Sequence, residues 1–199
     1  MINQENLKIF FIDLFVKAKE HYDEFNSLDG QLGDGDLGIT ISKGLEEINS
    51  NLDKFGEDIG KNFLISAQSF TKASSSSFGT LVAISFMAIA KELKGKNEIL
   101  LEDVPNLLNK AILAVCDRGK SNIGDKTFVD SLNEIANSLK NKNENFPKNI
   151  LQASEEALKK FKGKECKIGR ARMFSEKSKN LDDPGMFAIY KLCSVFEKM

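Results

Sequence analysis

Apolar residues recur at three- and four-residue steps from the start of this chain. Leu7, Phe10, Phe11, Leu14, Phe15, Ala18, Tyr22 and Phe25 lay one stripe along a first helix. The same period predicts helices near residues 38–52, 56–72, 78–94, 103–118, 126–140, 148–162 and 185–198. Polar or glycine-bearing breaks separate them, among them "LKGKNE", "RGKSNIGDK" and "KNKNENFPK". Pro105 suits the first turn of the helix near 103, Pro147 precedes the one near 148, and Pro184 opens the last. No run alternates as a strand would, so the eight segments imply an all-α bundle with mostly short connections.

Two stretches interrupt the pattern. One is the opening loop, 27–37; the other is 163–184, "GKECKIGRARMFSEKSKNLDDP". A connection as long as the second is usually functional or disordered in a compact domain.

Composition narrows the picture. The 199 residues suit a single domain, 1–199, with a core of its own. Twenty-eight basic against 29 acidic residues give a net charge of −1, which argues against nucleic-acid or membrane-surface binding by bulk electrostatics. Cys116, Cys166 and Cys193 form no CxxC and read as reduced thiols of a cytoplasmic protein. The N-terminal stretch lacks a signal-peptide pattern, and the longest apolar run, "LVAISFMAIA", is too short to span a bilayer. His21 is the only histidine and lies in the first helix, leaving little scope for histidine proton transfer or a Ser-His-Asp site.

The chemistry concentrates in "LDGQLGDGDLG", Leu28 to Gly38, where Asp29, Asp34 and Asp36 stand among four glycines. A lone Asp-Gly is ordinary turn chemistry. Three confined carboxylates are less ordinary, because two of them about 5 Å apart repel by roughly 3 kcal/mol at an effective dielectric near 20. A cation between them removes that cost. The spacing fails the calcium-loop template, since Gly38 and Leu45 fall at positions five and twelve counted from Asp34. Magnesium fits better, because it takes few carboxylates and completes its shell with water and phosphate oxygens. "LGITIS" then leads into a helix, whose free N–H groups at Gly38, Ile39 and Thr40 are expected to face the aspartates and cradle phosphate, with the Thr40 hydroxyl beside them. No Walker A or kinase-type glycine motif is present.

Other segments carry plainer readings beside sharper ones. The run Ser74 to Ser77 suits a helix start. "IGDKTFVD" offers Asp125 and Thr127 as helix caps. "GRARMFSEKSK" carries Arg170, Arg172 and Lys177, either merely solvated or able to fold over metal-bound phosphate.

Taken in order, "LDGQLGDGDLG", "SSSSFGT", "RGKSNIGDKTFVD", "GRARMFSEKS" and "DDPG" resemble the L subunits of dihydroxyacetone kinases, built on the DAK2-type nucleotide-binding domain. The motifs run from 28 to 185, covering most of the chain. The resemblance implies an eight-helix antiparallel barrel with the nucleotide at one end. It implies that Asp29, Asp34 and Asp36 hold two magnesium ions bridging the phosphates of ADP or ATP, with Arg170 as a phosphate clamp. Leu37, Gly38, Ile39, Thr40, Ser74, Ser75, Gly119, Phe128, Arg170, Asp183, Pro184 and Gly185 would line the pocket.

The family's substrate, dihydroxyacetone, is held by a histidine on a separate K subunit, and this chain shows no such domain. In the phosphotransferase-linked branch a phosphohistidine M subunit rephosphorylates the bound ADP; in the ATP-dependent branch the domains are fused. The free-standing chain resembles the first branch, alone a monomer or homodimer. Leu37 stands where the family has histidine, Ser75 and Ser76 where it has glycine and proline, Phe78 for tyrosine and Phe128 for methionine. Two alternatives stay open: a nucleotide sensor with weak or no turnover, and a kinase domain for another acceptor, as in fatty-acid kinase relatives.

Overall fold

A computed structural model describes residues 1–140 and 145–198. Among them the chain forms ten α-helices and four short 3-10 segments, and its one extended pairing is an isolated bridge between Ile2 and Ile99. The all-α class expected from the periodicity is what the backbone adopts. Of the predicted break "KNKNENFPK", 140–148, residues 141–144 lie outside the described residues.

Helix α1 (Gln4–Glu20) starts at Asn3, which forms a reciprocal capping pair with Asn6. The stripe read as one helix is divided at His21, whose φ of −104° and ψ of 13° leave the helical region, and α2 (Tyr22–Leu32) follows at once. Hydrogen bonding continues across the division, Phe25 N–H donating to His21 O at 3.0 Å, so the apolar stripe is unbroken although the helix is not. There follow α3 (Leu37–Asn49), α4 (Ile59–Ala73), α5 (Ser77–Glu92), α6 (Val104–Gly119), α7 (Phe128–Leu139) and α8 (Phe146–Phe161). The short α9 (Ser175–Lys179) and the final α10 (Pro184–Cys193) complete the set.

Boundaries differ from expectation where caps decide them. Pro147 lies inside the first turn of α8 rather than before it, a position where its missing N–H costs nothing. The last predicted helix ends early, and Ser194–Lys198 tighten into a 3-10 turn.

Consecutive helices from α3 to α8 pack side by side, while α10 packs against α7, α8 and α2, and α2 packs against α3. Counting α1 with α2, and leaving out the one-turn α9, the packed ring comprises eight helices. Its main core joins Phe11, Phe25, Ile41, Ile48, Phe63, Phe70 and Leu93. Phe11 meets Phe55 and Phe86 edge-on, each with 5.9 Å between ring centres. Contacts of Thr40 with Ser74 and Ser76, of Phe78 with Phe128, of Gly185 with both phenylalanines and of Gly119 with Leu81 gather the ends of α2, α4 and α6 with the starts of α3, α5, α7 and α10.

Candidate metal and nucleotide site

Asp29 occupies the last turn of α2, and the chain reverses through Gly33 to Asp36 before α3 begins. The reversal requires φ = +75° at Gly35, a conformation open to glycine at little cost. It returns Asp36 N–H to Asp29 Oδ2 at 3.0 Å. One oxygen each from Asp29, Asp34 and Asp36 then lie within 4.8 Å of one another. Burial, together with the charges of Asp34 and Asp36, holds the Asp29 carboxyl above its usual 3.8, against the pull of the Asp36 and Gly35 N–H groups. The guanidinium of Arg170, in the 3-10 turn Arg170–Phe174, pairs with Asp34. An all-oxygen, all-carboxylate set suits a hard divalent cation.

The start of α3 departs from expectation. Its N–H groups are not free: Gly38 and Ile39 donate to Asn26 Oδ1 at 2.8 and 3.3 Å, and Thr40 N–H to Asp36 O at 2.9 Å. Asp36, the N-cap residue, makes no side-chain cap, and Asn26 from α2 caps in its place. Gly38 is glycine because the helices touch there; a Cβ would overlap the Tyr22 carbonyl oxygen and stand 2.8 Å from Asn26 Oδ1. The Leu37 side chain belongs to the core, so only its backbone borders the site. Ile39 is exposed.

What α3 does present is a hydroxyl. Thr40 Oγ1 donates to Ser76 Oγ at 3.0 Å and lies 3.3 Å from Ser74 Oγ. Ser76 caps α5 by accepting Gly79 N–H at 3.0 Å, as capping serines do, and Ser75 is exposed on the same turn.

The wall beyond is aromatic. Phe78 of α5 meets Phe128 of α7 edge-on at 5.3 Å between ring centres. Gly185 fits against both; a Cβ there would stand 3.2 Å from Phe128 Cβ and 3.3 Å from Phe78. Asp183 caps α10, accepting Met186 N–H at 2.9 Å, and Pro184 is buried in its first turn. Enclosure, with a contribution from Asp130, raises the Asp183 carboxyl to about 7; the Met186 and Gly185 N–H groups and the Lys126 ammonium pull the other way. Gly119 closes α6 near Leu81 and Ser121.

Three residues at this end were not singled out from the sequence: Asn26, Lys126 and Asp130. Asp130 completes a capping box with Thr127, as its spacing allows, and accepts Gly124 N–H at 2.6 Å and Thr127 N–H at 2.8 Å. Asp125 is not the cap; it accepts Asn122 N–H at 2.7 Å. Lys126 is 1% exposed, and its ammonium donates to the carbonyls of Lys164, Ser178 and Leu181 at 2.8, 2.7 and 2.8 Å. Stretch 163–184 is therefore organised: Leu32, Cys166 and Ala171 form a small apolar cluster with Leu181, and Lys177 donates to Gln31 O at 3.0 Å. Arg172 is exposed.

The DAK2 domain family matches residues 31–198 of this chain. A curated relative, the ADP-binding subunit DhaL of PEP-dependent dihydroxyacetone kinase 2 from Listeria innocua, is 28% identical over 193 residues, spanning 92% of this chain and 88% of the relative. Among solved structures, native dihydroxyacetone kinase of C. freundii superposes with a TM-score of 0.78 at 21% identity, covering all of this chain. The chain spans 36% of that protein. The same kinase in complex with AMP-PNP and Mg2+ gives a TM-score of 0.77 at 23% identity over 96% of this chain and 33% of its own.

Proposed function

Because the chain belongs to the DAK2 domain family, we propose that it is the ADP-binding subunit of a dihydroxyacetone kinase. Its role is phosphoryl transfer from a metal-bound nucleotide to dihydroxyacetone held on a separate K-type subunit, with a phosphohistidine M-type subunit restoring the nucleotide. The observation that carries this reading is the convergence of Asp29, Asp34 and Asp36 within 4.8 Å, faced by Arg170. Burial first, and the charges of Asp34 and Asp36 after it, raise the Asp29 carboxyl, and a divalent cation among the three would relieve the repulsion that Arg170 meets only at Asp34.

Magnesium, as two ions in this reading, supplies charge neutralisation along the phosphates. Asp29, Asp34 and Asp36 would hold it, and Arg170, which pairs with Asp34, would meet the phosphate oxygens as a clamp. Thr40 and Ser74 offer hydroxyls, and Ser75 lies on the same turn. The backbone of Leu37, Gly38 and Ile39, together with Gly119, Phe128, Asp183, Pro184 and Gly185, shapes the pocket around the nucleotide. No helix of the described residues is long and apolar enough to cross a membrane. The cytoplasm, where free thiols stay reduced, is the location that goes with this reading.

Calorimetric titration of ADP with and without magnesium tests the site. Asp34→Ala is expected to remove the metal-dependent part of the affinity, roughly 10- to 100-fold, the scale of a lost charge-assisted contact. An unchanged metal dependence sinks the assignment. A sensor without turnover is the second reading, favoured by the withdrawal of Leu37 into the core where the family places a histidine. Adding K- and M-type subunits with a phosphotransfer system driven by phosphoenolpyruvate separates the two: triose phosphate forms only if the chain is an enzyme subunit.

A further inference from the structure

Lys126 poses a physical question that the nucleotide reading leaves open. An ammonium taken out of water is costly unless its protons find acceptors. The residue also stands at φ = +61°, where a non-glycine residue is uncommon. Lysine offers three donors on a compact head, and here three carbonyls receive them.

Where those carbonyls lie in the chain is informative. Lys164 and Ser178 are the two ends of the loop that carries Arg170, and Leu181 precedes Asp183 and the start of α10. One ammonium on the α6–α7 connection thus draws together both ends of the Arg170 loop and the approach to α10. Secondary ties run alongside: Cys166 N–H donates to Ser178 Oγ at 2.9 Å, and Lys167 N–H to Asp125 O at 3.0 Å. The loop's far side meets the acidic turn through Arg170 and Asp34.

We propose that Lys126 is a positioning residue, which holds the 164–178 loop closed so that Arg170 stands over the carboxylate cluster. The inference rests on the nucleotide reading above. The Lys126 ammonium donates to carbonyls and not to Asp29, Asp34 or Asp36; it acts on that cluster through Arg170. An apolar side chain of the same length would take the ammonium from three carbonyls, the Ser178 one buried and the other two part-buried, and the loop would open to solvate them.

The experiment is a double-mutant cycle on the full chain, with magnesium and ADP as ligands and calorimetry as the readout. Lys126→Met is expected to weaken magnesium-dependent ADP binding roughly tenfold or more, as Arg170→Met does. In the Arg170→Met background, Lys126→Met is expected to add little, because the clamp it positions is already gone. Trypsin is expected to cut at Arg170 and Arg172 faster in Lys126→Met than in the wild type, while far-ultraviolet dichroism keeps its helical amplitude. Full affinity in Lys126→Met, or additive losses in the cycle, overturns the proposal. If Lys126→Met does not fold, Ser178→Ala loosens the same closure through Cys166 and is put through the same cycle; unchanged affinity or additivity there overturns it equally. A wild-type chain that binds no ADP would remove the nucleotide reading itself; faster tryptic cutting in the variant would still register the closure by Lys126.

Discussion

Asp183 shows how a single enclosed carboxylate shapes the pH response of the fold. Its folded-state value of about 7 stands above the ordinary 3.8 because enclosure penalises the ion more than the Met186 N–H, Lys126 and the Gly185 N–H together favour it, with Asp130 adding a smaller repulsion. Between pH 4 and 7 the folded chain therefore holds a proton that the unfolded chain has released, so this residue's contribution to stability falls as pH rises through that window. Asp183→Asn keeps a capping side chain and removes the titration. The urea midpoint of the wild type is expected to decline relative to the variant from pH 4 to 7 and to run parallel to it outside; parallel curves throughout would contradict the assignment. The residue scale also shows what a sequence can display. The three aspartates are legible because their meeting needs only one turn of chain, with Gly35 as the hinge. Lys126 is not, because its three acceptors lie 38, 52 and 55 residues away.

At the scale of elements, α3 depends on its neighbour for its beginning. Four N–H groups open any helix, and Asp36, which precedes them, gives no side-chain cap. Asn26 on α2 accepts two of them, so a contact between helices does the work usually done within one. Asn26→Ala is expected to cost about 1–2 kcal/mol in urea unfolding, while Asn26→Asp, which keeps an acceptor, loses less. Equal stability of Asn26→Ala and the wild type would place those N–H groups in water. The helices themselves were legible because their apolar period is local and strong. The division at His21 was not, since the stripe and the hydrogen bonding both pass through it. Nor was the order of 163–184, which has no period of its own and takes its shape from Lys126, Leu32 and Gln31 in other elements.

At the scale of the molecule, the site is an end of the ring rather than a cleft between bodies. The residues proposed for it run from Asp29 to Gly185 and come from the ends of α2, α4 and α6 and the starts of α3, α5, α7 and α10, with one loop closing over the aspartates. A ligand at the proposed site would bridge segments far apart in sequence and bind only the closed ring, which would make its affinity part of the folding free energy. At a hundred times its dissociation constant such a ligand adds about 2.7 kcal/mol. For a chain of this size that corresponds to a rise of about 5–10 °C in melting temperature. Scanning calorimetry is expected to show that rise with magnesium and ADP together, and much less with either alone, because the carboxylates repel phosphate until metal is bound. Asp34→Ala is expected to lose the joint effect. If ADP without metal raises the melting temperature as far as the pair does, the acidic turn is not what grips the nucleotide.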